Sequence, residues 1–181
     1  NYDTDLFLPL LDAVAQEAES VEIKSYQDAN KLEGDQGDQV RIALRVIADH
    51  LRTICFAVAD GVIPGNAGRG YVIRRIMRRA IRYGYQTLGF RRAILFEKVD
   101  ILIDLMGEQF PELVRGRDYI QRVVKAEEVS FLETLGTGLD YFSSVSPFLE
   151  RLSSGEDQTL IKADIGANKR LGDLLRKAYI G

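Results

Sequence analysis

The recurrence of apolar residues at helical spacing constrains this chain more than any other feature of its sequence. Apolar side chains return every three or four positions, few segments alternate with a period of two, and only four prolines occur in 181 residues. The clearest stripe predicts a long helix over residues 39–59, formed by Leu44, Ile47, Leu51, Ile54 and Val58. We therefore predict an all-α fold, a helical bundle with a long amphipathic basic helix and a long helix in the C-terminal half of the chain.

Other helices are predicted on either side of this one. The first is expected to have Thr4 as its N-cap and Asp5 in its opening turn. Its apolar face would consist of Leu6, Leu10, Leu11 and Val14. Residues 25–38 are polar and contain glycine, which is typical of a loop. Later helices are expected at residues 70–84, 92–106 and 112–142.

The C-terminal part of the chain has a weaker pattern. The helix over residues 112–142 could break at Gly136-Thr137-Gly138, and short helices are expected at residues 147–152 and 169–179. We predict one domain over residues 1–142, and residues 143–181 as a divergent or uncertain helical tail.

The charges are distributed unevenly along the sequence. Residues 1–40 carry a formal charge of −8, residues 41–92 carry +9, and residues 93–181 carry −4, which together give −3. All eleven bases of the central block are arginines. Arginine presents a planar fork that suits phosphate, so this block favours binding to a nucleic acid.

The centre of the basic block predicts an amphipathic helix. One side would be apolar and consist of Val72, Ile73, Ile76, Met77, Ala80 and Ile81. The opposite side would carry Arg74, Arg75, Arg78, Arg79 and Arg82. Like charges four positions apart repel each other by a few tenths of a kcal/mol per pair, and no acidic residue interrupts the row. A polyanion facing the arginines would relieve this repulsion.

Two other interpretations of the basic helix stay open. Its arginines could form a solvated face that pairs with acidic segments of the same protein. An amphipathic basic helix could also lie on an anionic membrane, but its apolar side lacks an aromatic wedge and is more typical of helix packing.

The loop before the basic helix contains a candidate recognition residue. Asn66 lies between glycines, and Gly68 and Gly70 allow close approach of the backbone. An asparagine side chain offers both a donor and an acceptor, as reading a base edge requires. Asparagine between glycines is, however, more often simply a turn residue.

No catalytic or metal-binding residues are predicted. His50 and Cys55 are five positions apart on one predicted helix, and isolated residues of this kind usually pack in a core. The adjacent Glu127 and Glu128 diverge around a helix and favour a solvated face.

Composition restricts the compartment. No apolar run approaches the roughly 20 residues that a helix needs to cross a bilayer, so a membrane-spanning protein is excluded. One cysteine cannot form an internal disulfide, which fits a reducing compartment, and we expect a cytoplasmic protein. Because the chain begins at Asn1 and not at methionine, we expect it to be an excerpt from a longer protein.

Several runs of the sequence together resemble a known family. The central runs are Arg45-Val-Ile-Ala-Asp-His-Leu-Arg52, Ala59-Asp-Gly-Val-Ile-Pro-Gly-Asn66 and Gly68-Arg-Gly-Tyr-Val-Ile-Arg-Arg-Ile-Met-Arg-Arg-Ala-Ile-Arg-Tyr-Gly84. With Asn1-Tyr-Asp-Thr-Asp-Leu-Phe7 and Phe131-Leu-Glu-Thr-Leu135, they closely resemble the alanyl-tRNA synthetases. In that family this helical region follows the class II catalytic core and holds the acceptor stem of the tRNA. The resemblance implies RNA binding, with candidate contacts at Asn66, Arg69, Arg74, Arg75, Arg78, Arg79 and Arg82.

The resemblance also implies how a base pair is read. The family identifies its tRNA chiefly by a G·U pair in the acceptor stem, whose edge is accessible in the shallow minor groove of A-form RNA. An asparagine before the arginine-rich helix and an aspartate downstream form the reading pair. The asparagine corresponds to Asn66, with Gly68 as a competing position. Asp157 and Asp164 lie in the stretch that corresponds to the aspartate, and neither is assigned.

The rest of the family's machinery has no counterpart in this sequence. Its motifs for ATP and alanine precede this region, and a zinc-bearing editing domain follows it. The resemblance therefore implies no catalytic residue, metal or cofactor in this chain, which we expect to be inactive alone. The expected partners are an alanine tRNA and the rest of a parent synthetase, an alanine–tRNA ligase that uses ATP and Mg²⁺.

Two competing functions are retained. The main alternative is a helical protein-interaction module whose arginine face binds an acidic partner. The other is a DNA-binding helical domain. Against the latter, the predicted loop of about ten residues from Asp60 exceeds the tight turn of a helix-turn-helix motif.

Overall fold

The computed structural model describes residue 2 and residues 4–153, and all regular structure within them is helical. Six α-helices follow one another: α1 (Leu8–Ala15), α2 (Tyr26–Lys31), α3 (Gly34–Ala59), α4 (Gly68–Tyr83), α5 (Val99–Met106) and α6 (Pro111–Ser153). A π-helical turn, Gly84–Leu88, follows α4, and a 3₁₀ turn, Leu95–Lys98, precedes α5. The predicted all-α fold is therefore confirmed. None of these helices is long and apolar enough to span a membrane.

The chain divides into two compact units, Asn1–Leu132 and Glu133–Gly181. The first unit contains α1 to α5, the first part of α6, and all the buried apolar side chains found among the described residues. In the second unit, the described residues continue α6 to Ser153. The domain boundary predicted after residue 142 stays a prediction.

Helix α3 lies at the centre of the first unit, where it packs against α1, α2 and α4. The five apolar residues of its predicted stripe are all buried, which confirms the periodicity argument. The helix begins at Gly34, before the predicted start at residue 39, and ends at Ala59 as expected.

Helix α1 begins later than predicted. Its N-cap residue is Phe7, whereas Thr4 accepts the N–H groups of Phe7 and Leu8 through its carbonyl oxygen in a preceding turn. Pro9 accounts for this start, because proline fits the first turn of a helix, where its missing N–H group has no partner to lose. Leu10, Leu11 and Val14 are buried as expected, but Leu6 is exposed.

The loop predicted at residues 25–38 is wrong, because α2 and the start of α3 occupy this segment. Ser25 caps α2: its hydroxyl accepts the N–H of Asp28 at 3.2 Å and donates to the Asp28 carboxylate at 2.9 Å. Tyr26 and Ala29 are buried against the core. Capping and two buried anchors therefore outweigh the polar composition of the segment.

The later helices also depart from the predicted bounds. The segment predicted as one helix over residues 92–106 becomes the 3₁₀ turn followed by α5. Helix α6 continues through Gly136 and Gly138 without a break and includes Pro147, so residues 147–152 are not a separate helix. The short helix predicted at residues 169–179 lies outside the described residues.

Candidate nucleic-acid interface

Helix α4 carries the arginines on one side and packs the other side into the core. Ile73, Met77, Ala80 and Ile81 are buried, as the amphipathic pattern predicted, and α3 is the main helix that α4 contacts. Val72 departs from the pattern, since 53% of it is exposed. The contact with α3 therefore turns the arginine side of α4 away from the core.

The loop before α4 folds back onto the first turn of the helix. The N–H of Gly65 donates to the carbonyl of Gly70 at 3.0 Å. A Cβ atom on Gly70 would lie only 2.3 Å from the carbonyl oxygen of Ile63, so this approach requires glycine. The close packing places Asn66 beside the helix.

Asn66 contacts the arginine row directly. The Nη1 group of Arg74 donates to the side-chain oxygen of Asn66. The Asn66 side chain is therefore oriented by a partner eight residues away.

Glu127, on α6, accepts hydrogen bonds from two of the arginines. The Nε of Arg74 donates to one carboxylate oxygen at 3.1 Å, and the Nε of Arg78 donates to the other at 2.7 Å. The Glu127 side chain is only 9% exposed, whereas those of Arg74 and Arg78 are 25% and 38% exposed. The solvated face predicted for Glu127 is therefore wrong, because the two guanidinium groups and the packing of α6 cover its carboxylate.

The remaining three arginines of the row are exposed. Among the described residues, no carboxylate forms an ion pair with Arg75, Arg79 or Arg82. The guanidinium group of Arg79 lies 5.8 Å from the ring centre of Tyr83. Neutralisation by an acidic segment of the same protein thus applies to Arg74 and Arg78, and three positive charges stay open to solvent.

An open groove of about 440 Å³ runs along the arginine side of α4. Its lining residues are Asn66, Tyr71, Arg74, Arg75, Arg78, Arg79, Arg82 and Phe131. Tyr71 is 49% exposed, and the ring centre of Phe131 lies 5.1 Å from the guanidinium carbon of Arg78. The groove therefore combines a row of cations, an amide and two aromatic side chains.

The structure brings together six of the seven predicted contact residues. Arg69 is exposed in the first turn of α4 and does not line the groove. Sequence reasoning missed Tyr71, Phe131 and Glu127 as members of the site. Tyr71 directly follows Gly70 and lies on the same helix as the arginines, and this position could have indicated that it belongs to the site. The other two lie on α6, and nothing in their local pattern pointed to α4.

Glu128, next to Glu127, is also buried and also contradicts the predicted solvated face. Its carboxylate accepts the backbone N–H groups of Ile94 and Leu95 at 2.8 Å each and of Phe96 at 3.2 Å. Burial raises the pKa of Glu128 above its ordinary value, although the three hydrogen bonds oppose that shift. Glu128 therefore anchors the 3₁₀ turn before α5 and takes no part in the groove.

The remaining candidates do not form a metal site. Cys55 is fully buried, and burial raises the pKa of its thiol. Burial also lowers the pKa of the half-buried His50. Among the residues with described positions, no group of three histidine, cysteine, aspartate or glutamate side chains could hold a metal ion. Asp157 and Asp164 lie outside these residues.

The class of the protein follows from comparison with known families. The sequence profile described as tRNA synthetases class II (A) matches residues 1–162. The chain therefore belongs to the class II tRNA synthetase family, and the resemblance seen in its motifs is confirmed.

Curated relatives name a particular enzyme of this class. The alanine–tRNA ligase of Salinibacter ruber is 48% identical over 181 residues, covering 99% of this chain and 19% of the relative. That of Bacteroides fragilis is 49% identical over 139 residues, covering 77% of this chain and 15% of the relative. That of Chlorobaculum tepidum is 44% identical over 145 residues, covering 80% of this chain and 15% of the relative. The chain thus spans less than a fifth of the length of these relatives.

The similarity extends further along the chain than the motifs indicated. The family profile continues to residue 162, and the match to the Salinibacter ruber enzyme covers nearly the whole chain. Residues 143–162 therefore lie within the family match, and the divergence predicted for residues 143–181 stays a prediction.

Proposed function

We propose that this chain is the tRNA-binding part of an alanine–tRNA ligase, and that the groove along α4 grips the acceptor stem of an alanine tRNA. The observation that carries the proposal is the row of Arg75, Arg79 and Arg82, exposed in an open groove without carboxylate partners among the described residues. Such a row attracts phosphates of an RNA backbone and positions it. The names of the curated relatives support alanine tRNA as the RNA.

Asn66 would help to read the G·U pair of the acceptor stem. It lines the same groove as the arginines, and so can reach a base edge while they hold the backbone. The minor groove of A-form RNA is wide and shallow enough for a short side chain to contact bases. The arginines and Asn66 thus have separate roles, in affinity and in discrimination.

The ATP-dependent chemistry would belong to other residues of the ligase. No group of three histidine, cysteine, aspartate or glutamate side chains in the described part of the chain could hold a metal ion. The cytoplasm is the compartment that we propose for this function, in keeping with a single buried cysteine.

Charge reversal in the groove tests the proposal. The full chain is titrated with an RNA hairpin that carries an alanine-type acceptor stem, and binding is followed by fluorescence anisotropy. Changing Arg75, Arg79 and Arg82 together to Glu should weaken binding by at least about tenfold, because three phosphate contacts become repulsive. Arg74 and Arg78 are left intact, since placing further carboxylates beside Glu127 would disturb the fold.

A matched control separates the groove from overall charge. Arg115, Arg122 and Lys125 are exposed on α6 outside the groove, and changing all three to Glu alters the net charge equally. This variant should bind the hairpin much more tightly than the groove variant, and circular dichroism should show equal helicity in both. Equal weakening in the two variants would refute the groove as the binding site.

Asn66→Ala tests the reading of the base pair. The variant should lose preference for a G·U stem over a G·C stem by about three- to tenfold, the value of one hydrogen bond. Arg75→Ala should weaken the binding of the G·U stem and of the G·C stem by the same factor, since phosphate contacts carry no sequence information. If Asn66→Ala also weakens the binding of the two stems by the same factor, Asn66 is a turn residue only.

A further inference from the structure

Two side-chain hydrogen bonds connect Glu127 to Arg74 and Arg74 to Asn66. This hydrogen-bond relay determines which atoms of Asn66 face the groove. Arg74 donates through Nε to Glu127 and through Nη1 to the Asn66 side-chain oxygen. Glu127 is nearly buried and is held from its other oxygen by Arg78. Two ends of the Arg74 guanidinium group are thus occupied within the protein, and its plane is fixed.

Arginine has only donors, so the atom of Asn66 that faces Arg74 must be the oxygen. The amide nitrogen of Asn66 is on the other branch of the side chain, and Asn66 is exposed. Arg74 takes one of the two lone pairs of that oxygen, so the two N–H groups are the larger hydrogen-bonding capacity that Asn66 offers to a ligand. In an unrestrained asparagine, either the oxygen or the nitrogen could serve.

We propose that Glu127 and Arg74 are positioning residues that hold Asn66 as a hydrogen-bond donor, so that Asn66 reads an acceptor atom of the base pair and not the 2-amino group of guanine. This inference rests on the proposed function and adds to it the class of atom recognised. In the minor groove the acceptors are purine N3, pyrimidine O2 and the ribose 2′-oxygen, and the guanine 2-amino group is the base donor.

Arg74 therefore differs in role from the exposed arginines of the same helix. Its Nε and Nη1 groups are already bonded, whereas Arg75 has no ion pair within the described part of the chain. We expect Arg75 to contact phosphate alike on every stem, and Arg74 to act mainly through Asn66. Both are on α4, so they form a matched pair for mutation.

The first experiment compares Arg74→Gln with Arg75→Gln in the full chain, using hairpins that differ only in a G·U or a G·C pair. Arg74→Gln should reduce the preference for G·U by about three- to tenfold, because the Asn66 amide becomes free to rotate. It should cause little further loss when combined with Asn66→Ala, since the two residues act as one unit. Arg75→Gln should weaken the binding of the two hairpins by the same factor.

Glu127→Gln provides a second variant of the same relay. It keeps the shape of the side chain but replaces one of the two oxygens, each of which accepts from a different arginine, with an amide nitrogen that can only donate. A partial loss of the G·U preference is expected, at unchanged helicity by circular dichroism. If Arg74→Gln and Glu127→Gln leave the preference intact while Asn66→Ala removes it, the positioning role is refuted and the proposed function stands.

A second experiment identifies the atom that Asn66 contacts. Replacing the guanosine of the G·U pair with inosine removes the 2-amino group and leaves the acceptors in place. The ratio of the dissociation constants of Asn66→Ala and wild type should be the same on the inosine and guanosine hairpins. A ratio that falls to one on inosine would show that Asn66 reads the 2-amino group, and it would overturn the donor assignment. A ratio of one on both hairpins would overturn both the positioning role and the reading of G·U by Asn66.

Discussion

Glu128 is the residue whose environment differs most from what its chemistry suggests. A glutamate in a charged helix is expected in solvent, yet this one is 1% exposed and accepts three backbone N–H groups from the segment before α5. Buried N–H groups need partners, and those at the start of a helix have none within it. Glu128 therefore determines where the 3₁₀ turn and α5 begin.

Removing the Glu128 carboxylate should destabilise the fold. Glu128→Ala leaves three N–H groups without partners and should lower the free energy of unfolding by about 3 kcal/mol. Glu128→Gln keeps the oxygen that serves Ile94 and Leu95, so its loss should be near 1 kcal/mol. Urea denaturation of both variants measures the difference, and equal losses would show that the hydrogen bonds contribute little.

The raised pKa of Glu128 also predicts a dependence on pH. Because the folded state holds the proton more tightly than the unfolded chain, protonation of Glu128 stabilises the fold. This contribution is present in full below the ordinary pKa of glutamate and is lost as the pH rises through the raised value. Wild type should therefore gain stability relative to Glu128→Gln as the pH falls through that window. A pH-independent difference would contradict the assignment.

At the scale of elements, two glycines at the start of α4 have very different amounts of room for a side chain. Gly70 has no room for a side chain, because the Ile63 carbonyl lies within 2.3 Å of a Cβ position. Gly65, in the same loop, would place its Cβ at an ordinary 3.7 Å from that oxygen. The entry of the chain into α4 is therefore constrained by packing at Gly70 and tolerant at Gly65.

Alanine substitution at these two positions should give unequal results. Gly70→Ala should lower the free energy of unfolding by about 1–3 kcal/mol, since the loop must move away from the helix. It should also reduce the preference for G·U, because Asn66 moves with the loop. Gly65→Ala should stay within about 0.5 kcal/mol of wild type. Chemical denaturation and the hairpin titration measure both effects, and similar behaviour of the two variants would refute the packing argument.

At the scale of the whole molecule, a net charge of −3 conceals a localised cationic surface. Residues 41–92 carry a net charge of +9 between two acidic segments, and α4 concentrates five arginines of that block on one side. Two of the five are paired with Glu127. The surface that can bind a polyanion is therefore smaller than the sequence count suggests.

The salt dependence of RNA binding should report the number of free arginines. Neutralising Arg75, Arg79 and Arg82 with Gln should reduce the slope of log K against log salt by about 2–3 units, since each phosphate contact contributes about 0.7–0.9. The same change at Arg115, Arg122 and Lys125 should leave the slope nearly unaltered. A titration over several salt concentrations measures both, and a slope that stays constant in the groove variant would place the phosphate contacts elsewhere.

The sequence by itself determined the helices with strong periodicity and the family. The stripe of α3 and the buried side of α4 follow from local spacing, which needs no knowledge of distant residues. The arginine row and Asn66 were predicted as neighbours because they are close along the chain. Boundaries were predicted less well, because Pro9 and Ser25 act through local geometry that composition does not reveal.

Only the tertiary structure decided which arginines are free and how Asn66 is oriented. Glu127 lies 53 residues from Arg74 and 49 from Arg78, and no pattern in α6 indicates that its carboxylate meets them. The pairing arises because α4 and α6 bring two guanidinium groups together around a carboxylate that is only 9% exposed. Charge along a chain is a local property, whereas its neutralisation depends on which helices pack side by side.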